Sequence, residues 1–145
     1  MIKRDDMKKL LISIDEDLPE SIFKTISIEE YINKLIKNGV ILEIYDSNNL
    51  VGMVAGYVND YESKNAFISM VSTEKRYRGL GIAEKLIKIF IKFAAINGMN
   101  QASLMVHKDN ISAKSLYLKI GFRVIMNDMS HSTNDSHIPM VYDIK

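Results

Sequence analysis

The sequence contains no cysteine, which excludes a disulfide scaffold, a thiol nucleophile and any thiolate metal site. Two prolines and seven glycines leave no collagenous or linker-like segment. A strong charge of one sign is also lacking. Nineteen basic residues stand against eighteen acidic ones, so the net charge is +1 and bulk attraction to nucleic acid is not expected. Long apolar runs are missing too. "IAEKLIKIFIKFAAI" is broken by charges at helical spacing, and the opening "MIKRDDMKKLLISIDEDLPE" reads as neither a signal peptide nor a membrane span. These absences predict a soluble chain without a membrane partner, in a cytoplasmic setting. What remains is ordinary for a globular protein, with 47% hydrophobic and 26% charged residues over 145 positions. One domain covering residues 1–145 is expected.

The pattern along the chain changes period several times. "DDMKKLLISI" predicts a short helix, and "SIEEYINKLIKNG" a second one, with Ser27 as its cap, Glu30 as capping-box partner and Gly39 at its close. "VILEIYD" and "LVGMVAGYV" are β-branched runs separated by "SNN", which predicts a hairpin. "NDYESKN" reads as a second turn, leading into the strand "AFISMV". After residue 80 a helix of about four to five turns is expected. Glu84, Lys88 and Lys92 form its polar stripe, Leu86, Ile87, Phe90 and Ala94 its core face, and Gly98 its end. "ASLMV" follows as a buried strand and "NISAKSLYLKIGF" as a helix closed by a left-handed Gly121. "RVI" and "PMVYDI" predict two last strands around a polar loop at 127 to 138. The order predicts an α+β domain.

The stretch "EKRYRGLGIAEKL" joins a strand to the long helix. Free N–H groups and the positive dipole end at such a junction suit an anion, most often phosphate. Gly79 and Gly81 keep side chains away from the backbone there, and Arg76 and Arg78 add charge at the mouth. A nucleoside-triphosphate loop is excluded, because Ile82 and Ala83 stand where Lys and Ser or Thr are needed. A dinucleotide fingerprint is disfavoured by Glu84 at its third glycine position. The pattern [Arg/Gln]-x-x-G-x-[Gly/Ala] is met by "RYRGLG", residues 76 to 81, although solvated arginines beside a glycine loop would look the same.

About thirty residues downstream, Asn110, Ala113, Tyr117, Gly121 and Phe122 fill the pattern N-x-x-A-x-x-x-Y-x-x-x-G-F. With both motifs present, the chain resembles the GNAT N-acetyltransferase superfamily over residues 40 to 145. The first forty residues read as helices alone, without that superfamily's usual first strand. The resemblance implies a mixed, mostly antiparallel central sheet splayed between strands 66–71 and 102–106 and flanked by helices. It implies acetyl-coenzyme A as co-substrate and an amine as acetyl acceptor, attacking the thioester directly. Ser69, Met70 and Val71 would pair with the pantetheine arm, and residues 77 to 82 (Tyr77, Arg78, Gly79, Leu80, Gly81 and Ile82) would take the pyrophosphate. Arg76 would add charge. Asn110 would contact the pantetheine arm, a position in which it can equally serve as a plain helix cap. Tyr117 would be the acid that protonates the leaving thiolate, although its apolar helical face also suits a core residue.

The sequence departs from the superfamily at the general base. Some relatives carry a glutamate at the position of Met105, and "AFISMV" holds no acid either. Asp60 and Glu62 remain as bases acting through water, and both also read as turn residues. An amine arriving already neutral would need no base. His107, His131 and His137 are scattered, so no metal site is expected. Met53 and Met105 are candidates for an acyl or acceptor pocket. A small-molecule amine such as an amino sugar or amino-acid-like metabolite is the preferred acceptor. A protein N-terminus or lysine, and an inactive acyl-coenzyme A sensor, are the alternatives, and a small Rossmann-like nucleotide binder would require a parallel sheet. The strand "PMVYDI" would provide a homodimer edge.

Overall fold

Near-continuous apolar runs from Val40 onward build a sheet whose two faces are both covered. The computed structural model describes residues 3–16, 18, 19, 21–125 and 136–145. Two helices come first, α1 (Arg4–Asp15) and α2 (Ile28–Asn38), followed by strands β1 (Val40–Asp46), β2 (Asn49–Tyr57) and β3 (Asn65–Thr73). A 3-10 turn (Lys75–Tyr77) leads into α3 (Ile82–Ile96). Then come β4 (Gln101–His107), α4 (Ile111–Ile120), β5 (Arg123–Val124) and β6 (His137–Asp143). The strands form one six-stranded sheet in the order β1-β2-β3-β4-β6-β5. Four of the five pairings are antiparallel, and β3 with β4 is the parallel one. This is the α+β order that the sequence predicts and the mixed, mostly antiparallel sheet that the resemblance implies. A Rossmann-like parallel sheet is excluded.

The parallel ladder is short. It joins Asn65 to Gln101 and continues to Ile68 with Leu104, then stops, so β3 beyond Ile68 and β4 beyond Leu104 part. Where they part, β3 also carries a bulge. Ala55 faces Met70 and Gly56 faces Ile68, leaving Ser69 as the extra residue. The bulge reverses which face the following side chains take. Ala66 and Ile68 pack with α3 around Phe90, whereas Met70 packs with Met7, Leu11 and Leu35 beneath α1 and α2.

The first forty residues are therefore more than filler. Met7, Leu10, Leu11 and Ile14 of α1 are buried against the sheet, and no strand occurs among their described residues. Ser27 caps α2 by accepting the Glu30 N–H. Gly39 closes α2 for want of space rather than by a left-handed turn, since its φ is −105° and a Cβ there would lie 2.8 Å from the Gly56 carbonyl. The hairpin at "SNN" turns tightly, with Asp46 opposite Asn49 and Ser47 at φ 57°.

One expectation changes. "PMVYDI" is not an edge, because β6 lies between β4 and β5 and residues 140 and 141 pair on both sides, so it cannot offer a partner a free edge there. Of the polar loop expected at 127 to 138, residues 127 to 135, His131 included, lie outside the described residues. Among the described residues no helix is long and apolar enough to cross a membrane.

Gly56 lies where the sheet packs closely on both β3 and α3. A Cβ added there would stand 2.1 Å from the Phe67 carbonyl and 2.8 Å from the Phe90 ring. Gly56→Ala is expected to cost at least about 2 kcal/mol, the upper half of the usual overpacking range, as read by urea denaturation.

Candidate functional site

The divergence of β3 and β4 opens a cleft of about 480 Å³ between the β3 end, the glycine loop, α3 and α4. Its floor and one wall come from Val71, Thr73 and Ile82, and its opposite wall from Asn110, Leu116 and Tyr117. Ile14 and Leu18, from the end of α1 and just beyond, close over it.

The glycine loop works through its backbone. Glu74 caps the 3-10 turn, whose formation uses the Tyr77 and Arg78 N–H groups on the carbonyls of Glu74 and Lys75. Gly79 and Gly81 then both sit at φ 82°, in the left-handed region where a side chain is strained. A Cβ at either would meet nothing within 4 Å, so what glycine provides here is the turn and the open space. Gly81 is the N-cap of α3 and offers no side-chain acceptor. The result is six consecutive N–H groups, residues 79 to 84, without a hydrogen-bond partner among the described residues. With the positive end of a 15-residue helix behind them, they form a cradle of the kind that suits an anion. The donors thus begin two residues later than the 77 to 82 that the sequence suggests, and extend into the first turn of α3.

The arginines divide. Arg78 lines the cleft, its Nε donating to the Thr73 carbonyl at 3.2 Å. Arg76 points away, its Nε and N–H both donating to the Glu74 carboxylate at 3.0 and 2.8 Å, near α1. Tyr77 lines the cleft and ties the loop to β1 by donating its hydroxyl to Asp46 at 2.6 Å. Leu80 is exposed and outside the cleft lining.

On β3 the bulge separates the expected residues. Val71 lines the cleft. Met70 is buried in the α1/α2 core, and the Ser69 hydroxyl bonds the Tyr31 hydroxyl of α2 at 2.7 Å. The side chains of Ser69 and Met70 therefore face away, leaving their backbone edge, unpaired toward β4, as what they contribute. Such an edge can accept an extended, amide-bearing ligand as an added strand.

The second motif is explained by α4. Asn110 Oδ1 accepts the Ala113 N–H at 3.2 Å, so Asn110 caps the helix while lining the cleft. Gly121, at φ 125°, ends it, and the Phe122 N–H returns to the Tyr117 carbonyl at 2.9 Å. Phe122 is thereby buried beside the Tyr117 ring, with centroids 5.9 Å apart. Ala113, Leu116 and Tyr117 thus share one face, and that face is the cleft wall. The Tyr117 hydroxyl has no hydrogen-bond partner among the described residues, and burial alone pushes its pKa up to about 12.

The structure does not bring the two suggested bases to the site. Asp60 sits in the β2–β3 turn, where its carboxylate accepts the Ser63 hydroxyl and N–H at 2.6 and 3.0 Å and is held below its usual pKa by them. Glu62 is exposed in the same turn. The cleft lies at the other end of β3, roughly 25 Å along the strand at its usual rise per residue. Glu84 is the one carboxylate among the described cleft residues, and Lys88 and Lys119 hold its pKa down. Glu43, passed over in the sequence, has its pKa raised by burial, but it sits on edge strand β1 and is not among the residues lining the cleft. Met53 is core, and Met105 is 49% exposed on β4. His107 and His137 face each other across β4 and β6. Ile14, Leu18, Thr73, Ser112 and Lys119 join the cleft without any signal in the sequence; they are placed there by tertiary packing.

The family model described as Acetyltransferase (GNAT) family matches residues 8–122. The chain belongs to this family. The match begins within α1, so the family likeness starts earlier than residue 40. Mycothiol acetyltransferase from Corynebacterium efficiens is 30% identical over 84 residues, 58% of this chain and 28% of that protein. The chain spans about a third of the length of the curated relatives it matches. Among solved structures, a GNAT-family acetyltransferase from Staphylococcus aureus has the same fold, with a TM-score of 0.78 at 18% identity over 98% of this chain and 93% of that one. So does the PaiA N-acetyltransferase of Thermoplasma acidophilum, solved in complex with coenzyme A, with a TM-score of 0.68 at 19% identity over 98% and 95%.

The divided arginines generate a test. Arg78→Ala is expected to weaken coenzyme A binding by about ten- to a hundredfold, as losing one charge-assisted contact does. Arg76→Ala should change it less than about twofold, and calorimetric titration reads both.

Proposed function

We propose that this chain transfers an acetyl group from acetyl-coenzyme A to the amine of a small molecule, such as an amino sugar or amino-acid-like metabolite. The observation that carries this is that a run of unpaired N–H groups, the end of an open strand edge and an unpartnered phenol meet at one cleft. The residues present fit the co-substrate: 79 to 84 suit its pyrophosphate, the 69 to 71 edge its amides, and Tyr117 its sulfur. Bound acetyl-coenzyme A supplies an acyl carbon activated by its thioester.

The amine nitrogen attacks that carbon, the C–S bond breaks, and the amine's surplus proton passes to solvent. Tyr117 acts on the sulfur side. With its pKa near 12 it stays protonated throughout the physiological range, and it lies above an ordinary thiol near 8.5. Its role is then to donate a hydrogen bond to the departing sulfur, stabilising the charge developing there. No carboxylate of the described cleft is placed to deprotonate the amine, since Glu84 lies at the pyrophosphate end and is ion-paired. The acceptor therefore reacts from the fraction that is neutral in solution. Ile14 and Leu18 closing over the cleft support a small acceptor, as does the name of the mycothiol acetyltransferase relative.

The missing base also favours a second reading, an acyl-coenzyme A sensor that binds without transfer. Thiol release in the presence of an amine panel separates the two, because a sensor binds acetyl-coenzyme A and releases none.

Two outcomes are expected of the enzyme. Rate against pH should rise with unit slope and level off at the pKa of whichever amine is used, so two amines differing by two units should shift the midpoint by about two units. A fixed midpoint would reveal a protein base. Tyr117→Phe should lower turnover by about a hundredfold, the low end for one donor aimed at developing charge, with coenzyme A affinity changed less than about twofold.

A further inference from the structure

Glu84 stands where the cleft meets a second depression. Gly81 and Glu84 line both, and the second is otherwise walled by Lys85, Lys88, Ile89 and Lys92. One Glu84 carboxylate oxygen lies 2.9 Å from Lys88 Nζ, one turn along α3, and the other lies 3.1 Å from Lys119 Nζ of α4, itself a cleft residue. Two ammonium groups against one carboxylate leave the trio with a net positive charge. Both lysine side chains are more than half exposed, whereas that of Glu84 is 24% exposed, so the acid is the fixed member and the lysines the movable ones. Exposed pairs of this kind contribute little to stability, and rearranging them costs little.

The N–H of Glu84 is also the last of the six unpaired donors. An anion held there meets the Glu84 carboxylate next to it, and the two lysines cover that charge. We propose that Lys88 and Lys119, poised on Glu84, form a second phosphate subsite that takes the 3′-phosphate of coenzyme A. This rests on the coenzyme A reading of the cleft. The 3′-phosphate hangs on the same ribose as the pyrophosphate chain, so a subsite one residue from the pyrophosphate donors is within its reach. A phosphate carries more charge than a carboxylate and offers three strong acceptor oxygens, so it draws the ammonium groups from Glu84. The chain then discriminates coenzyme A from dephospho-coenzyme A.

Calorimetric titration with the two ligands, at low salt and at 0.15 M, tests this. The wild type should bind coenzyme A about tenfold more tightly than the dephospho form, the size of a charge-assisted contact, with the gap narrowing as salt rises. Lys119→Met or Lys88→Met should shrink the gap to under about threefold by weakening coenzyme A alone. Glu84→Gln should tighten coenzyme A by freeing both lysines, a sign that mere structural support would not give. Lys34→Met, whose ammonium lies over the Tyr57 ring, is the control and should change neither affinity. Equal wild-type affinities for the two ligands, or lysine variants that weaken both alike, would overturn the inference while leaving the cleft reading intact. Failure of the wild type to bind either ligand would overturn that reading as well.

Discussion

The site depends on the parting of two parallel strands. β3 and β4 share four residue pairs and then separate, because one leads into the glycine loop and the other into the cap of α4. A pair that stayed joined would satisfy its own backbone and leave no cleft. The bulge at Ser69 occurs at the same point, and it turns Met70 toward α1 and α2 and Val71 toward the cleft. The bulge thus buries side chains on one face while keeping the backbone edge open on the other. Unpaired backbone is costly unless it meets water or a ligand, so an edge exposed in a cleft is where a ligand substitutes most readily.

The chemistry of the cleft is mostly backbone chemistry. Six N–H groups and a helix dipole make up the cradle proposed for the pyrophosphate, and Arg78 lines the same cleft. Side-chain charge is sparse, with Arg78, Glu84 and Lys119 the charged side chains among the described cleft residues. This matches the near-zero net charge of the chain: attraction to one ligand at one point does not require a charged surface. Tyr117 has the opposite environment. It is positioned by Gly121 and Phe122 below it, and the burial that holds it also keeps its proton on. In the proposed reading, anion binding and hydrogen-bond donation to sulfur thus fall to different parts of one cleft.

Much of this was legible in sequence because the relevant signals are local. Gly79 and Gly81 are needed for φ 82°, Asn110 for a cap, and Gly121 for a reversal, and each depends on its near neighbours alone. The helix and strand order followed from period, including the hairpin at Ser47. One miss was local: Arg76 is claimed by Glu74, two residues before it, through the capping of the 3-10 turn. The others were long-range. The bulge at Ser69 is set by pairing with β2, so the sequence could not tell that Ser69 and Met70 would face away. Asp60 and Glu62 looked adjacent to a cleft strand, yet they lie at its far end. β6 reads as a terminal strand, although the order of the sheet places it inside. Lys119 belongs to the cleft because α4 packs beside α3, which no spacing reveals.

The central claim is that an acyl-coenzyme A ligand enters where β3 and β4 part, with its pyrophosphate on the amides of residues 79 to 84. Amide chemical-shift mapping on the nitrogen-15-labelled protein, titrated with acetyl-coenzyme A, tests it most directly. The account predicts saturable shifts concentrated at residues 69 to 73 and 79 to 84, with the turn at Asp60 to Ser63 unmoved. Saturable binding that left the amides of 79 to 84 in place would contradict it.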